Sequence, residues 1–405
     1  MNTFDLQTFA AADTEQQNEV LDRLRDHNDL FPLIGELLER AACSQPLWFL
    51  SGYSSFASLR YAEGRQDWKL FRPAFRRLLC DYADLPRDEG RLKVAPLVAE
   101  YVLKADPKDF AGVTHAILEE TIANGGPSLW QQILALAHLA KVLPEKSDQQ
   151  IDIEPILGMA LEHMLSSRRL LKVVHIWDEV WKRMPLVDSD LYYHDSRLRR
   201  AILDQNIDHA FRLVAATIKS GLSAEEVVGH FIKAIYDIDF SEPEQMILLP
   251  AAMVAVLAQG WDPRSLQFQH AMARFVYDAM HFERSERDRI EYEKISLIKS
   301  REILIDFRKS FLQGIFLQAW GIAEYAFVHG FEAAEVLDEV YRVVAAVGEE
   351  AVQNSQAHMM LWNASKLVGQ LDEEYALYIL AYAIRFLVRI PKIKGKLDPF
   401  PDELE

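Results

Sequence analysis

The sequence predicts an all-α protein of stacked antiparallel helical hairpins, similar to an α-solenoid and arranged as two packed lobes. Apolar residues recur at steps of three and four along nearly every segment, which is the period of an amphipathic helix. Glycines and capping residues occur where these segments should end and begin. Signals for β-strands are scarce, since no run of the chain keeps a sustained alternation of apolar and polar residues.

The first set of predicted helices covers the N-terminal part of the chain. Thr14 followed by Gln17 has the spacing of a capping box, in which a side chain and the backbone satisfy each other's free hydrogen-bonding groups. Glycines at 125 and 126 mark the end of a helix. The predicted helices are 14–26, 30–43, 46–63, 67–82, 92–104, 108–124, 128–143 and 153–166.

A second set of predicted helices covers the rest of the chain. Its first helix carries one broad apolar stripe, formed by Leu170, Val173, Val174, Trp177, Val180, Trp181 and Met184. Ser223 followed by Glu226 is a second capping-box spacing, and glycines follow several of the stripes. The predicted helices are 168–183, 189–204, 207–220, 223–237, 243–259, 264–282, 285–329, 332–347, 350–369 and 372–390.

The C-terminal part of the chain contains a faint internal copy. The segment that starts at Gly221 recurs from Gly330, an offset of 330 − 221 = 109 residues. A helix that follows a glycine in both copies indicates repeated helical hairpins, so 207–282 and 317–391 are predicted to be two copies of a four-helix module. The alternative is that amphipathic helices resemble one another by composition alone. Identical residues recur at Gly221/Gly330, Ala224/Ala333, Glu226/Glu335 and Val227/Val336.

The length of the chain predicts more than one lobe. With 405 residues, half of them hydrophobic, it exceeds the size at which a single compact core usually stops growing. We therefore expect an N-terminal helical lobe, residues 1–166, and a C-terminal helical lobe, residues 167–405, which contains both units.

Composition narrows the class of partner and the compartment. A net charge of −17 repels phosphate backbones on average, so the expected partners exclude nucleic acid. The two cysteines are too few for a disulfide framework and suit a reducing compartment, so we expect a cytoplasmic protein. No membrane span is expected, because the longest apolar stretch, residues 247–258, is far shorter than the roughly 20 residues that a spanning helix needs.

Sequence motifs for catalysis and cofactor binding are scarce. The chain has no Gly-x-Gly-x-x-Gly, no phosphate-binding loop, no His-Glu-x-x-His, no Cys-x-x-Cys and no Gly-x-Ser-x-Gly. Asp278 and His281 form one Asp-x-x-His pair, which by itself does not hold two metals. We therefore expect no metal site, and the sequence leaves the cofactor content open.

Segment 175–195 is the richest in titratable groups, and it is a candidate edge of a groove. His175 and Glu179 lie one helical turn apart, which is a spacing that metal ligands and acid–base pairs use. Both fall opposite the apolar stripe of their helix, so the alternative is an ordinary solvated face. The candidate residues of this groove edge are His175, Glu179, His194 and Asp195.

Several histidines lie within or at the ends of apolar helices. Such a histidine is most often a satisfied core residue that bonds a backbone carbonyl, and this is the first expectation for His115, His230, His270, His329 and His358. His270 and His358 have aromatic and methionine-rich neighbours, and they could line a pocket between the two lobes. The candidate residues of this pocket are His270, His358, Trp362 and Phe268.

Two functions are compatible with these patterns. The first is a binding or scaffold protein that presents a groove to a protein or peptide partner, which the scarcity of motifs favours. The alternative is a helical enzyme, for example an oxidoreductase, with an aromatic and histidine-lined pocket between the lobes. The sequence does not decide between them, and it leaves the oligomeric state and the partner's identity open.

Overall fold

The structure is a computed structural model that describes residues 5–26, 68–84, 173–184, 195–238, 240–284, 303–312, 316–347 and 351–387. These ranges are helical and contain no strand, apart from an isolated bridge between Phe240 and Arg284. The helices are α1 Leu6–Ala11, α2 Thr14–Asp26, α3 Trp68–Ala83, α4 Val173–Arg183, α5 Asp195–Leu203, α6 Ile207–Lys219, α7 Ala224–Ile235, α8 Pro243–Gln259, α9 Leu266–His281, α10 Ile303–Leu312, α11 Phe316–Val328, α12 Ala333–Val347, α13 Ala351–Val368 and α14 Glu373–Leu387.

The all-α prediction is confirmed for the described ranges. The bounds of α2, α6, α8 and α12 agree with the predicted helices to within one residue. Helix α1 was not predicted, because its six residues are too few to show a period; Asp5 caps it by accepting hydrogen bonds from two backbone amides. The helices predicted over 30–63 and 92–166, and the start of the one predicted over 285–329, lie outside the described residues.

One capping prediction is wrong by one residue. Thr14 is the first residue of α2 and does not cap it. The capping box is formed by Asp13, whose Oδ1 accepts from the amide of Gln16 at 2.9 Å while Gln16 Oε1 accepts from the amide of Asp13 at 3.3 Å. The pairs Thr14/Gln17 and Asp13/Gln16 both have the residues of a capping box, because threonine and aspartate both favour the cap position. The sequence pattern alone therefore does not decide which of the two residues caps the helix.

The helix ends predicted at Gly221, Ser223 and Gly330 are confirmed. At the start of α7, Ser223 Oγ accepts from the amide of Glu226, and Glu226 Oε2 accepts from the amide of Ser223 at 2.7 Å. Gly221 and Gly330, which precede α7 and α12, have φ of 90° and 88°. Because this left-handed region is strained for residues with a Cβ, glycine is required at both turns.

Helices α4 to α9 share one apolar core. Helix α6 packs against α4, α5 and α9, and its buried face includes Phe211 and Val214. Two successive residues of α4 bond two successive residues of α9: Trp177 Nε1 donates to Gln269 Oε1, and Asp178 pairs with His270. These polar links hold the two helices in register within a mostly apolar contact.

Helices α10 to α14 join the same core. Helix α8 packs against α13, and α7 packs against α14. The buried hydroxyl of Tyr382, on α14, donates to the carbonyl of Met246, on α8, at 3.1 Å. Helix α3 packs on α12 and α13 and is itself covered by α1 and α2. Within the described ranges, no helix is long and apolar enough to cross a membrane.

Candidate functional site

A cluster of polar side chains lies where α5, α7 and α14 meet. Helix α7 contributes Glu226, His230 and Lys233, which are spaced four and three residues apart and so lie on one face of the helix. Helix α5 contributes its first residue, Asp195, and helix α14 contributes residues of its first turns. The rest of α7 is largely buried and apolar, so this polar face stands out in the helix.

His230 is bonded through both of its ring nitrogens. Its Nδ1 lies 2.9 Å from Asp195 Oδ1, and its Nε2 lies 3.1 Å from the hydroxyl of Tyr375. A carboxylate only accepts hydrogen bonds, so Nδ1 carries the proton in the neutral ring and Nε2 accepts from the phenol. The result is a directed chain in which Tyr375 donates to His230 and His230 donates to Asp195.

Lys233 ties the same carboxylate to α14. Its Nζ lies 3.2 Å from Asp195 Oδ2 and 2.7 Å from Glu374 Oε1, and it lies 5.3 Å from the centre of the Tyr378 ring. Burial alone would lower the pKa of Lys233, but its hydrogen bonds to Glu374 and Asp195 raise the pKa above its ordinary value. The lysine therefore keeps its charge at neutral pH.

The environment of Tyr375 favours the protonated phenol. Burial raises the pKa of this phenol to about 12, and the charges of Glu374, Asp195 and Glu226 act in the same direction. The proton that Tyr375 donates to His230 is thus firmly held in the resting state, and its removal requires a base in contact with the hydroxyl.

Gly229 makes room for the tyrosine. A Cβ atom at this position would lie 2.4 Å from Cγ of Tyr375, far inside van der Waals contact. The absence of a side chain lets the Tyr375 ring lie directly on the backbone of α7. The same approach brings the ring within 5.3 Å of the His230 ring, centre to centre, in an edge-on arrangement.

The cluster is partly open to solvent. The side chains of His230 and Asp195 are 21% and 19% exposed, and that of Glu374 is 66% exposed. A histidine held by a carboxylate on one side and a hydroxyl on the other is an arrangement that transfers protons. Within the described ranges, no group of three His, Cys, Asp or Glu side chains is placed to hold a metal ion.

The structure separates the residues of the predicted groove edge. Asp195, on α5, belongs to the polar cluster where α5, α7 and α14 meet. His175 is exposed, and Glu179 Oε2 forms an exposed ion pair with Arg183 at 2.9 Å. His194 lies outside the described residues.

The residues of the predicted pocket lie on two helices. His270, on α9, bonds Asp178 at 3.1 Å and is 13% exposed, beside the buried Phe268. His358, on α13, is 1% exposed and stacks on Phe75 of α3, and burial lowers its pKa to about 4. Trp362 is buried on the same helix, where Lys366 lies over its ring.

Four residues of the cluster were not predicted from the sequence, and they are His230, Lys233, Glu374 and Tyr375. His230 was expected to bond a backbone carbonyl, as His329 does with Tyr325; it bonds a carboxylate and a phenol instead, which corrects that expectation. Lys233, Glu374 and Tyr375 were not singled out. The spacing of Glu226, His230 and Lys233 on one face of an otherwise apolar helix is the signal that could have identified α7.

Comparison with known proteins identifies no relative of this chain. No family model, no curated protein and no solved structure matches this chain. Any proposal about function therefore depends on the geometry of the chain itself.

Proposed function

We propose that this chain is an all-helical binding protein, and that it presents the surface where α5, α7 and α14 meet to a protein or peptide partner. One observation supports this most directly. Asp195, Lys233 and Glu374 come from three helices and form one ion-pair network, and its outer member, Glu374, is 66% exposed. Such a network is held in place by the core and is open to a partner on its outer side.

We infer that the scaffold arose by internal duplication and is solenoid-like. Ala224 begins α7 and Ala333 begins α12, and 333 − 224 = 109 is the offset of the sequence copy. Helices α5 to α9 and α10 to α14 form two successive series of five helices. In both series the second helix packs against the first and the last. These parallels support the duplication, and a repeated helical unit is an architecture that binding proteins commonly use.

The binding function is favoured over an enzyme with a pocket at the predicted histidines. Phe268 and His358 are buried in the core, and His270 is bonded to Asp178. Buried rings of this kind contribute to the packing of the core. The exposed atoms of the cluster where α5, α7 and α14 meet can contact a partner directly.

The charge of the surface indicates a basic partner. Three carboxylates act on Tyr375, those of Glu374, Asp195 and Glu226, against one ammonium group, that of Lys233. The whole chain carries a net charge of −17. A segment of the partner with lysine or arginine side chains would complement both the local and the overall charge. A chain with two cysteines suits a reducing compartment, and we propose the cytoplasm as the site of this interaction.

A charge reversal tests this proposal. The Glu374→Lys variant should no longer capture the proteins that the wild-type chain captures. The substitution replaces the outer carboxylate of the network with a cation, which repels a basic partner. Capture should also weaken as salt is raised, since surface attraction is screened. The measurement is quantitative mass spectrometry of the captured proteins, followed by affinity measurement with the purified partner.

The matched control is Glu324→Lys, which makes the same change at an exposed position of α11 outside the cluster. It should retain the wild-type partners. If both variants capture the same proteins with the same affinity, this surface is not the binding site.

A further inference from the structure

We propose that Tyr375, His230 and Asp195 form a catalytic relay, in which Tyr375 is a nucleophile toward activated acyl groups and His230 is its general base. This activity goes beyond partner binding. The observation that supports it is the order of the hydrogen bonds, in which the phenol donates to the imidazole and the imidazole donates to the carboxylate.

The geometry fulfils the conditions for an activated nucleophile. The Tyr375 hydroxyl lies 3.1 Å from His230 Nε2, within reach for direct proton transfer. The opposite nitrogen of the ring lies 2.9 Å from Asp195, which fixes the tautomer that leaves Nε2 free to accept a proton. A nucleophile bonded to a base that a third group orients is the arrangement shared by unrelated acyl-transfer enzymes.

Charged groups from three helices surround the ring and its tyrosine. They are Asp195 from α5, Glu226 and Lys233 from α7, and Glu374 from α14. A further ion pair, between Arg199 and Asp237, joins α5 to the turn that follows α7. The Asp195 carboxylate, 2.9 Å from Nδ1, orients the ring so that Nε2 meets the Tyr375 hydroxyl.

The first step transfers the acyl group to the protein. The Tyr375 oxygen forms a bond to the acyl carbon while its proton passes to His230 Nε2, and the carbonyl π pair moves onto the carbonyl oxygen. When that pair returns, the bond to the leaving group breaks. The leaving group departs with the bonding electrons and takes the proton from Nε2, which leaves an acyl ester on Tyr375 and a neutral histidine.

Water can then reverse the modification by the same route. A water molecule gives its proton to His230 Nε2 while its oxygen bonds to the acyl carbon. Collapse of this intermediate breaks the bond to the Tyr375 oxygen, which recovers the proton from Nε2. The products are a carboxylic acid and the original phenol, so no oxidant or further reactant is needed.

The probe for this proposal is p-nitrophenyl acetate, used with the full chain. We expect release of p-nitrophenol with acetylation of Tyr375, located by peptide mass spectrometry. Tyr277 and Tyr325 are matched controls in the same molecule, because each lies 3.9 Å from a histidine ring, centre to centre, but that histidine bonds the backbone carbonyl of the tyrosine. Tyr375 should be acetylated at least about tenfold faster than either.

Three variants separate the roles. Tyr375→Phe should abolish the modification, and His230→Gln should slow it at least about tenfold. Asp195→Asn keeps the shape of the side chain but can donate its amide N–H to Nδ1, which favours the tautomer with the proton on Nε2, so the acetylation rate of Tyr375 should fall at least about tenfold. A variant that loses this rate while it keeps the wild-type free energy of unfolding identifies Asp195 as a positioning residue, since loss of packing alone would lower stability as well.

Asp237→Asn controls for loosening of the helices. It breaks the 2.7 Å ion pair between Arg199 of α5 and the turn that follows α7, outside the relay, and should leave the acetylation rate of Tyr375 within about twofold. The proposal is overturned if Tyr375 reacts no faster than Tyr277 and Tyr325, or if His230→Gln folds normally and reacts at the wild-type rate. In either case the cluster acts only as a clamp between helices, and the partner-binding proposal stands independently.

Discussion

At the scale of single residues, the contact of Gly229 with the Tyr375 ring makes the sharpest prediction. In Gly229→Ala the new methyl group would lie 2.4 Å from Cγ of Tyr375, an atom near the backbone that has little freedom to move. We expect a loss of about 1–3 kcal/mol in the free energy of unfolding, which exceeds the gain of about 1 kcal/mol from alanine's helix propensity. Urea denaturation measures the change.

A second variant shows whether the tyrosine is the cause. In a Tyr375→Ala background the obstacle is gone, so Gly229→Ala should be neutral or stabilising there. Gly369→Ala is the control at a site where the nearest neighbour of the new methyl group is a backbone oxygen at 3.4 Å, and it should change stability by less than about 0.5 kcal/mol. Equal losses in both backgrounds would contradict the proposed clash.

The buried ring of His358 predicts a dependence of stability on pH. Its pKa is about 4 in the fold, because burial disfavours the charged ring, and about 6.5 in an unfolded chain. The unfolded state therefore binds more protons between pH 4 and 6.5, and stability rises with pH across that window. Lowering the pH from 7 to 4 should cost about 3 kcal/mol through this residue alone.

The variant His358→Phe isolates that contribution. Phenylalanine keeps a ring against Phe75 but does not titrate, so the slope of unfolding free energy against pH should decrease between pH 4 and 6.5. Ser196→Ala, at an exposed position that does not titrate, should leave the slope unchanged. A wild-type slope in the phenylalanine variant would mean that His358 is not the group responsible.

At the scale of helices, the two similar Gly–helix segments differ at the cap. Helix α7 has a complete capping box, whereas Glu332 stands where α7 has Ser223. In α12, Glu335 Oε2 accepts from the amide of Glu332 at 2.8 Å, as Glu226 does for Ser223. Glu332→Ser adds the hydroxyl of a complete box, and we expect a gain of about 0.5–1 kcal/mol in thermal or urea unfolding.

The reverse change supplies the comparison. Ser223→Ala removes the hydroxyl that accepts from Glu226, and it should cost about 1 kcal/mol. Ser196→Ala makes the same substitution within α5, at an exposed position that is not a cap, and should have little effect. The prediction for α12 is wrong if Glu332→Ser leaves stability unchanged while Ser223→Ala lowers it.

The helices were more accessible to sequence analysis than the site. Period and capping predicted α7 and its box, because both depend on residues within one turn of each other. The site depends on residues far apart in the chain: Tyr375 and His230 are separated by 145 positions, and their contact exists only because α14 packs on α7. The requirement for Gly229 was also hidden, since a glycine within a helix gives no sign of the ring that covers it.

At the scale of the whole molecule, the packing of α8 on α13 and of α7 on α14 connects the two proposed units through one buried core. Separation of the units would expose the apolar faces of all four helices and would break the hydrogen bond from Tyr382 to Met246. We therefore expect these four helices to open together, with similar free energies of hydrogen exchange.

Native-state hydrogen exchange with mass spectrometry, in increasing urea, measures these opening free energies peptide by peptide. Tyr382→Phe should lower the opening free energy of all four helices by about 1 kcal/mol, because the link it removes joins both units. If only α14 responds, or if α7 and α8 open well before α13 and α14, the units unfold independently and the shared core does not couple them.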